Sequence, residues 1–400
     1  MDNIGMIQKI FAAFFKLFVK ILLIFSGAVC LILIVDIIER LPGVFAITKQ
    51  YSKDPVLEWR IKPNAWGHDA NGFRNRSVPT HVDVVAIGNS LTWGINVKRR
   101  EAWPQALEKI SGYTVYNMAL GGYGPVEYNI LLDRALQYSP NDVVIGFYFG
   151  NDIYKSFEKR NTFKQAPKNS KEEKTEVVKQ LEKMEDERNR FVAEYRGPTS
   201  ARECVDFLKR QLSLYRFVLK SGLWPITTVI LKYEKLRAWA VRHPNDGLVY
   251  EKDGVRTILD FTYRLVELDL SNHEISDGLE LSKEIFVDMK RKTDQKHVQL
   301  IVLFLPTKEF VYQQAARDQF GKLSYSYERL LQMESEIREE LTTFLKAHNI
   351  QVVDSYPILS EAVRRHEVVY PASNDSHPLV HGYFLISLEV SNTLKKMLQA

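Results

Sequence analysis

The chain has 400 residues, 45% of them hydrophobic, and a formal net charge of +5. That is room for one large core or two modest domains, and with no Lys/Arg block of nucleic-acid type the dispersed charge means solubility and a mild preference for anionic surfaces. Two cysteines, Cys30 and Cys204, cannot build a disulfide framework.

The N-terminus predicts a membrane anchor. No residue from Ile21 to Val35 is charged, and the apolar character extends back through Phe11, interrupted by Lys16 and Lys20. A lysine near a helix end can stretch its ammonium to the headgroups, so the predicted span is Phe14 to Ile38. Lys9, Lys16 and Lys20 precede the run while Asp36 and Glu39 follow it, which predicts a cytoplasmic N-terminus and an external remainder. The run is long for a signal-peptide core, and no small-x-small cleavage site follows closely, so an uncleaved anchor within residues 1–45 is the expectation.

Beyond it, Asn71-Gly72 marks a turn in a polar stretch. The β-branched run Val82 to Ile87 reads as a first buried strand, ending in Gly88-Asn89-Ser90-Leu91-Thr92. A helix is predicted over Glu101–Ile110, a second strand over Tyr113–Asn117, then the loop Gly121-Gly-Tyr-Gly124 and a helix over Glu127–Tyr138. A third strand, Asp142–Tyr148, runs into Phe149-Gly-Asn-Asp152. Strands alternating with helices predict a parallel sheet with right-handed crossovers.

The alternation breaks over 155–275, predicted to be a mainly helical insertion capping one side of the sheet's carboxyl edge. Ser170–Arg196 and Ala201–Leu219 carry apolar residues at helical spacing among charges. Ser221–His243, aromatic and apolar with interleaved Lys and Arg, fits either packing on the core or lying on a membrane surface. Regular order returns with a helix from Gly278 to Lys296, a fourth strand over Val298–Leu305, a helix over Tyr325–His348, a fifth strand over Gln351–Asp354 and a closing helix over Gly382–Leu398. Lys308, just past the fourth strand, reads as a surface lysine or as one reaching a substrate anion.

Attack on an ester carbonyl needs a nucleophile, a base, a group orienting that base and donors for the oxyanion. Ser90 supplies a hydroxyl at a strand's carboxyl end, Gly122 an unobstructed backbone N–H and Asn151 an amide. Asp375-Ser-His377-Pro378 supplies a base, His377, and an orienting carboxylate, Asp375, on one loop. Asp-x-His could equally be a capped loop or a pair of metal ligands, but a metal site would want more partners nearby.

Taken together, these blocks resemble the SGNH (GDSL) hydrolases. Gly88-Asn89-Ser90-Leu91-Thr92 is similar to the nucleophile block, Asn117 to Gly122 to the second, Gly150-Asn151-Asp152 to the third and Asp375-Ser376-His377-Pro378 to the last. Asn71-Gly-Phe-Arg74 resembles membrane-anchored members. The family usually has aspartate where this chain has Asn89, and commonly sets its acid three residues before the histidine, where Asn374 stands. The resemblance implies an α/β three-layer domain over 46–400 with a five-stranded parallel sheet in order 2-1-3-4-5. It implies a triad of Ser90, His377 and Asp375, with oxyanion donors from Ser90, Gly122 and Asn151. It further implies ester hydrolysis or acyl transfer without metal or cofactor, and O-acetylated carbohydrate as a reasonable substrate outside a membrane. A scaffold with a decayed site is the non-enzyme alternative.

Overall fold

A computed structural model describes residues 50–65, 67–163, 175–194 and 226–399. The predicted anchor, both cysteines and Ala201–Leu219 lie outside the described residues; among those described, no helix is long and apolar enough to cross a membrane. Ser52–Ala400 forms the second of the two units into which the chain divides.

The second unit is centred on a five-stranded, wholly parallel sheet of β3 (Val84–Gly88), β4 (Val115–Asn117), β5 (Asp142–Tyr148), β8 (Gln299–Leu305) and β9 (Gln351–Asp354). These runs are rich in Val, Ile and Phe because parallel strands are covered on both faces; Val84 to Ile87 and Val143 to Ile145 are fully buried. In chain numbering the order is β4-β3-β5-β8-β9, which differs from the predicted labels because four strands outside this sheet also count. Within the central sheet alone the succession is second, first, third, fourth, fifth.

The four extra strands form two hairpins, β1 (Tyr51–Asp54) with β2 (Glu58–Ile61) and β6 (Gly247–Lys252) with β7 (Val255–Asp260). The second adds a strand pair to an insertion whose other described elements are helices. Its turn is Asp253-Gly254, both at positive φ (+47° and +84°), the conformation that joins two strands by two residues. The helix Ile226–Arg242 buries Tyr233, Leu236, Trp239 and Ala240 against Ile258 of β7 and Ala372. Within the described part of the segment, Trp239 and its neighbours thus pack on protein.

The crossover from β3 to β4 moves one way across the sheet and that from β4 to β5 the other. Right-handed connections therefore put the helices Trp103–Ser111 and Pro125–Ala135 on opposite faces. Helix Val380–Gln399 packs on the first, and helix His273–Asp294 on the second and on Asp152–Glu158. Gly278 does not open that helix, as predicted, but lies inside it: a Cβ there would meet the Ile153 carbonyl oxygen at 2.2 Å. The helix opens at Asn272, whose side chain caps the Glu274 N–H.

The reversal leaves a crevice beyond the carboxyl end of β3, between its neighbours β4 and β5. Open α/β sheets bind ligands at such a switch point.

Candidate active site

Ser90 is the first residue of a single helical turn, Ser90–Trp93, directly beyond β3. The turn lies close on the sheet because two glycines make room. A Cβ on Gly88 or on Gly146 of β5 would come within 2.3 Å of the Thr92 hydroxyl. From β4, Asn117 donates its amide to the Thr92 carbonyl at 3.0 Å, buttressing the same turn.

Across the crevice, His377 Nε2 lies 2.8 Å from Ser90 Oγ, and His377 Nδ1 lies 2.6 Å from Asp375 Oδ1. The same Asp375 oxygen accepts the His377 backbone N–H at 2.9 Å, and Oδ2 accepts the Asn96 amide at 2.9 Å. Burial alone would raise the Asp375 pKa. The hydrogen bonds and charge of His377, with the Asn96 amide, outweigh it and hold the carboxyl well below the usual range. Asn374 points elsewhere, donating to Asp260 Oδ2 at 3.1 Å.

Asn151 shares a cleft of about 230 Å³ with Ser90 and His377. Its amide oxygen lies 3.5 Å from Asn89 Nδ2, so the oxygen faces the nucleophile turn and the NH₂ end is left for the cleft. Gly122 does not line that cleft. Gly121 is the residue against Ser90, 3.5 Å from where its Cβ would stand to Ser90 Cβ, while Gly122 follows at φ +86° beneath the Trp59 ring.

Sequence reading missed several residues that shape the site. Asn96 sits at φ +70°, a left-handed conformation that asparagine tolerates. Its loop is fixed by Arg74, which donates to the carbonyls of Trp93, Gly94 and Val97 and covers the Trp93 ring. So Asn71-Gly-Phe-Arg74 serves the site through its arginine, at one remove. Arg188, from the inserted helix Glu176–Glu194, lines the cleft, bonded to Asp260 at 2.6 Å and to the Tyr263 hydroxyl at 2.9 Å. Arg264, also lining it, donates to the Gly150 carbonyl. Single arginines in a charged insertion give no sequence signal of this kind. Lys308 departs from both readings of it: fully buried, it donates to three backbone carbonyls.

Asn89 has a physical reason to be an amide. Its oxygen caps the Leu91 N–H at 2.9 Å, and its Nδ2 donates to Asp152 Oδ1 at 3.0 Å. Asp152 is fully buried, and burial raises its pKa to about 8 despite donors from the Tyr148 N–H, Asn89 and Tyr128. A second carboxylate at position 89 would keep the cap but face Asp152, and two such groups cannot both ionise. The exchange N89D should therefore cost about 2 kcal/mol of stability. Wild type already holds the Asp152 proton below about pH 8, so the deficit relative to wild type is smaller at pH 6 than at pH 9, where wild type can release that proton and the carboxylate pair must keep it. Thermal unfolding at both values reads it, and N89D/D152N should recover most of the loss. Equal melting of N89D and wild type at both pH values would show the two side chains uncoupled.

No protein-family model and no curated protein matches the chain. Solved structures do. A lipolytic protein of the G-D-S-L family from Desulfitobacterium hafniense DCB-2 aligns over 77% of this chain and 97% of its own, at 15% identity and TM-score 0.36. A psychrotrophic esterase from Pseudoalteromonas sp. aligns over 80% and 100%, at 11% and 0.35. An acetyl xylan esterase from the rumen bacterium Butyrivibrio proteoclasticus aligns over 80% and 66%, at 10% and 0.33. Identities and TM-scores this low lend weight to no particular activity. The sheet succession, the serine turn at its switch point and the Ser90–His377–Asp375 series agree with what the resemblance to the SGNH (GDSL-type) hydrolases implies for the fold.

Proposed function

We propose that the chain is a membrane-anchored serine esterase acting on O-acylated, chiefly O-acetylated, carbohydrate through an acyl-enzyme on Ser90. The observation that carries this reading is the hydrogen-bonded series Ser90 Oγ, His377, Asp375 at the mouth of the crevice. With Asp375 ionised and accepting from Nδ1–H, His377 Nε2 presents its lone pair to the Ser90 hydroxyl. Ser90 Oγ attacks the ester carbonyl and His377 takes the proton, then delivers it to the departing alcohol oxygen. Water, activated by the same imidazole, releases the acid. Ser90 N–H, which as the first helical donor has no intrahelical acceptor, and the Asn151 amide are the proposed oxyanion donors in the cleft; the third expected donor, the Gly122 N–H, belongs to the peptide that links it to Gly121 beside Ser90.

A cleft of about 230 Å³ shared with Arg188, Asp260, Tyr263 and Asn374 suits a short acyl group on a hydroxyl-rich alcohol better than a long acyl chain. Arg188 in that cleft also supports the insertion's role as a cap. The anchor reading rests on the uncharged run Ile21–Val35 and the lysines before it.

The test is purified full-length chain in detergent against a chromogenic acetyl ester, with and without a carbohydrate acceptor. Release without acceptor, with activity sedimenting in the membrane fraction before detergent, is the expected result. Release only with acceptor, and acetyl found on the sugar, would make the protein a transferase using the same site. Silence in both arms, with Ser90 unlabelled by a serine-directed phosphonate, would leave a scaffold.

A further inference from the structure

Lys308 opens the short helix Lys308–Val311 just beyond β8. Its entry is fixed by Thr307, whose backbone N–H and hydroxyl both bond to the buried Glu334. From there the fully buried side chain carries its ammonium to the carbonyls of Ile258 (2.8 Å), Ser373 (2.9 Å) and Asp375 (3.1 Å). An ammonium has three donors, and all three are used. The same loop is laced to β7 by Ile258 N–H and the Thr257 hydroxyl, both donating to the Ser373 carbonyl.

We propose that Lys308 is a positioning residue whose ammonium does the work of a bound cation, drawing three carbonyls together so that the Asp375–His377 turn stays within reach of Ser90. This rests on the esterase reading of the site. Lys308 touches neither the nucleophile nor the base; it acts through the loop that carries them. Burial pushes its pKa down to about 8, with Glu309, Asp375 and Asp260 opposing that fall and Arg264 adding to it. Below pH 8 the ammonium is charged and grips all three oxygens; above it, a neutral amine has two donors and the loop loosens.

In the full-length chain, K308M should lower kcat on the acetyl ester on the order of 10²-fold, with KM within a few-fold of wild type, as expected when reacting groups are misplaced rather than removed. Wild-type kcat should fall as pH rises through about 8, and K308M should lack that limb. K308A should recover activity on adding propylammonium but not propanol, which fills the same space without charge. A K308M kcat within threefold of wild type, an unchanged alkaline limb, or equal rescue by propanol would each overturn the proposal. One measurement needs neither turnover nor a variant that folds. The low-field proton NMR signal of the His377–Asp375 hydrogen bond should be sharp at pH 7 in wild type and lost as pH rises through about 8. A signal persisting to pH 10 overturns the role of Lys308. If wild type turned over no ester and Ser90 stayed unlabelled, the esterase reading would fall, and this signal would still decide the positioning role.

Discussion

Replacing either Ser90 or His377 by alanine should remove nearly all activity, by roughly 10⁴- to 10⁶-fold in kcat, and the double replacement should be little worse than either alone. An unassisted serine hydroxyl is a poor nucleophile near neutral pH, and a histidine with no hydroxyl to deprotonate does nothing for the carbonyl. Ser90 Oγ and His377 Nε2, 2.8 Å apart, share one proton-transfer path, so losing one end loses the whole of it. What remains comes from binding and the oxyanion donors, which neither change touches. The measurement is kcat/KM for the four proteins on one acetyl ester, with phosphonate labelling as a check. H377A should label far more slowly than wild type although Ser90 is intact. If the two losses instead multiplied in the double variant, the residues would be acting separately and the shared-proton mechanism would be wrong.

The parts of this site written into short sequence motifs were legible, and the parts that depend on long-range packing were not. Strand Asp142–Tyr148 falls where an apolar β-branched run predicts it, since a strand covered on both faces has little freedom in composition, and the edge strand Gln351–Asp354 also falls at its predicted bounds. Ser90, Asp375 and His377 meet because their loops leave the same edge of the sheet, which topology alone requires. The β6–β7 hairpin carried its own signal, Asp253-Gly254 between two alternating runs, but sat inside a segment whose charges suggested helices. Asn96 and Lys308 carried none. An asparagine two residues past a glycine is ordinary turn composition, and a lysine after a strand is ordinarily solvated. Their roles arise from carbonyls and a carboxylate supplied by chain almost 280 and 70 residues away, as the pairs Asn96–Asp375 and Lys308–Asp375 show. The neutral Asn89 is intelligible only once Asp152 is seen beside it, 63 residues further on.

The acid of the triad is where the chain departs from the spacing of the family it resembles, and the structure gives neighbouring positions 374 and 375 opposite expectations. Asp375 bonds the His377 ring at 2.6 Å and its backbone N–H at 2.9 Å, whereas Asn374 spends its amide on Asp260. In D375N, one end of the new amide must face Nδ1. If the NH₂ faces it, the imidazole is driven into the tautomer that protonates Nε2, which can no longer accept from Ser90. If the oxygen faces it, the tautomer survives but the imidazolium loses its counter-charge. A loss of about 10³- to 10⁴-fold in kcat is expected, with little change in KM. N374A breaks only the link through Asp260 towards Arg188, so its effect should stay within about tenfold and fall on KM, because those groups line the cleft rather than the proton path. Steady-state kinetics of the two variants between pH 6 and 9 separate the cases. A silent D375N, or an N374A more damaging than D375N, would mean that His377 works without a carboxylate partner and that Ser90 and His377 form a dyad.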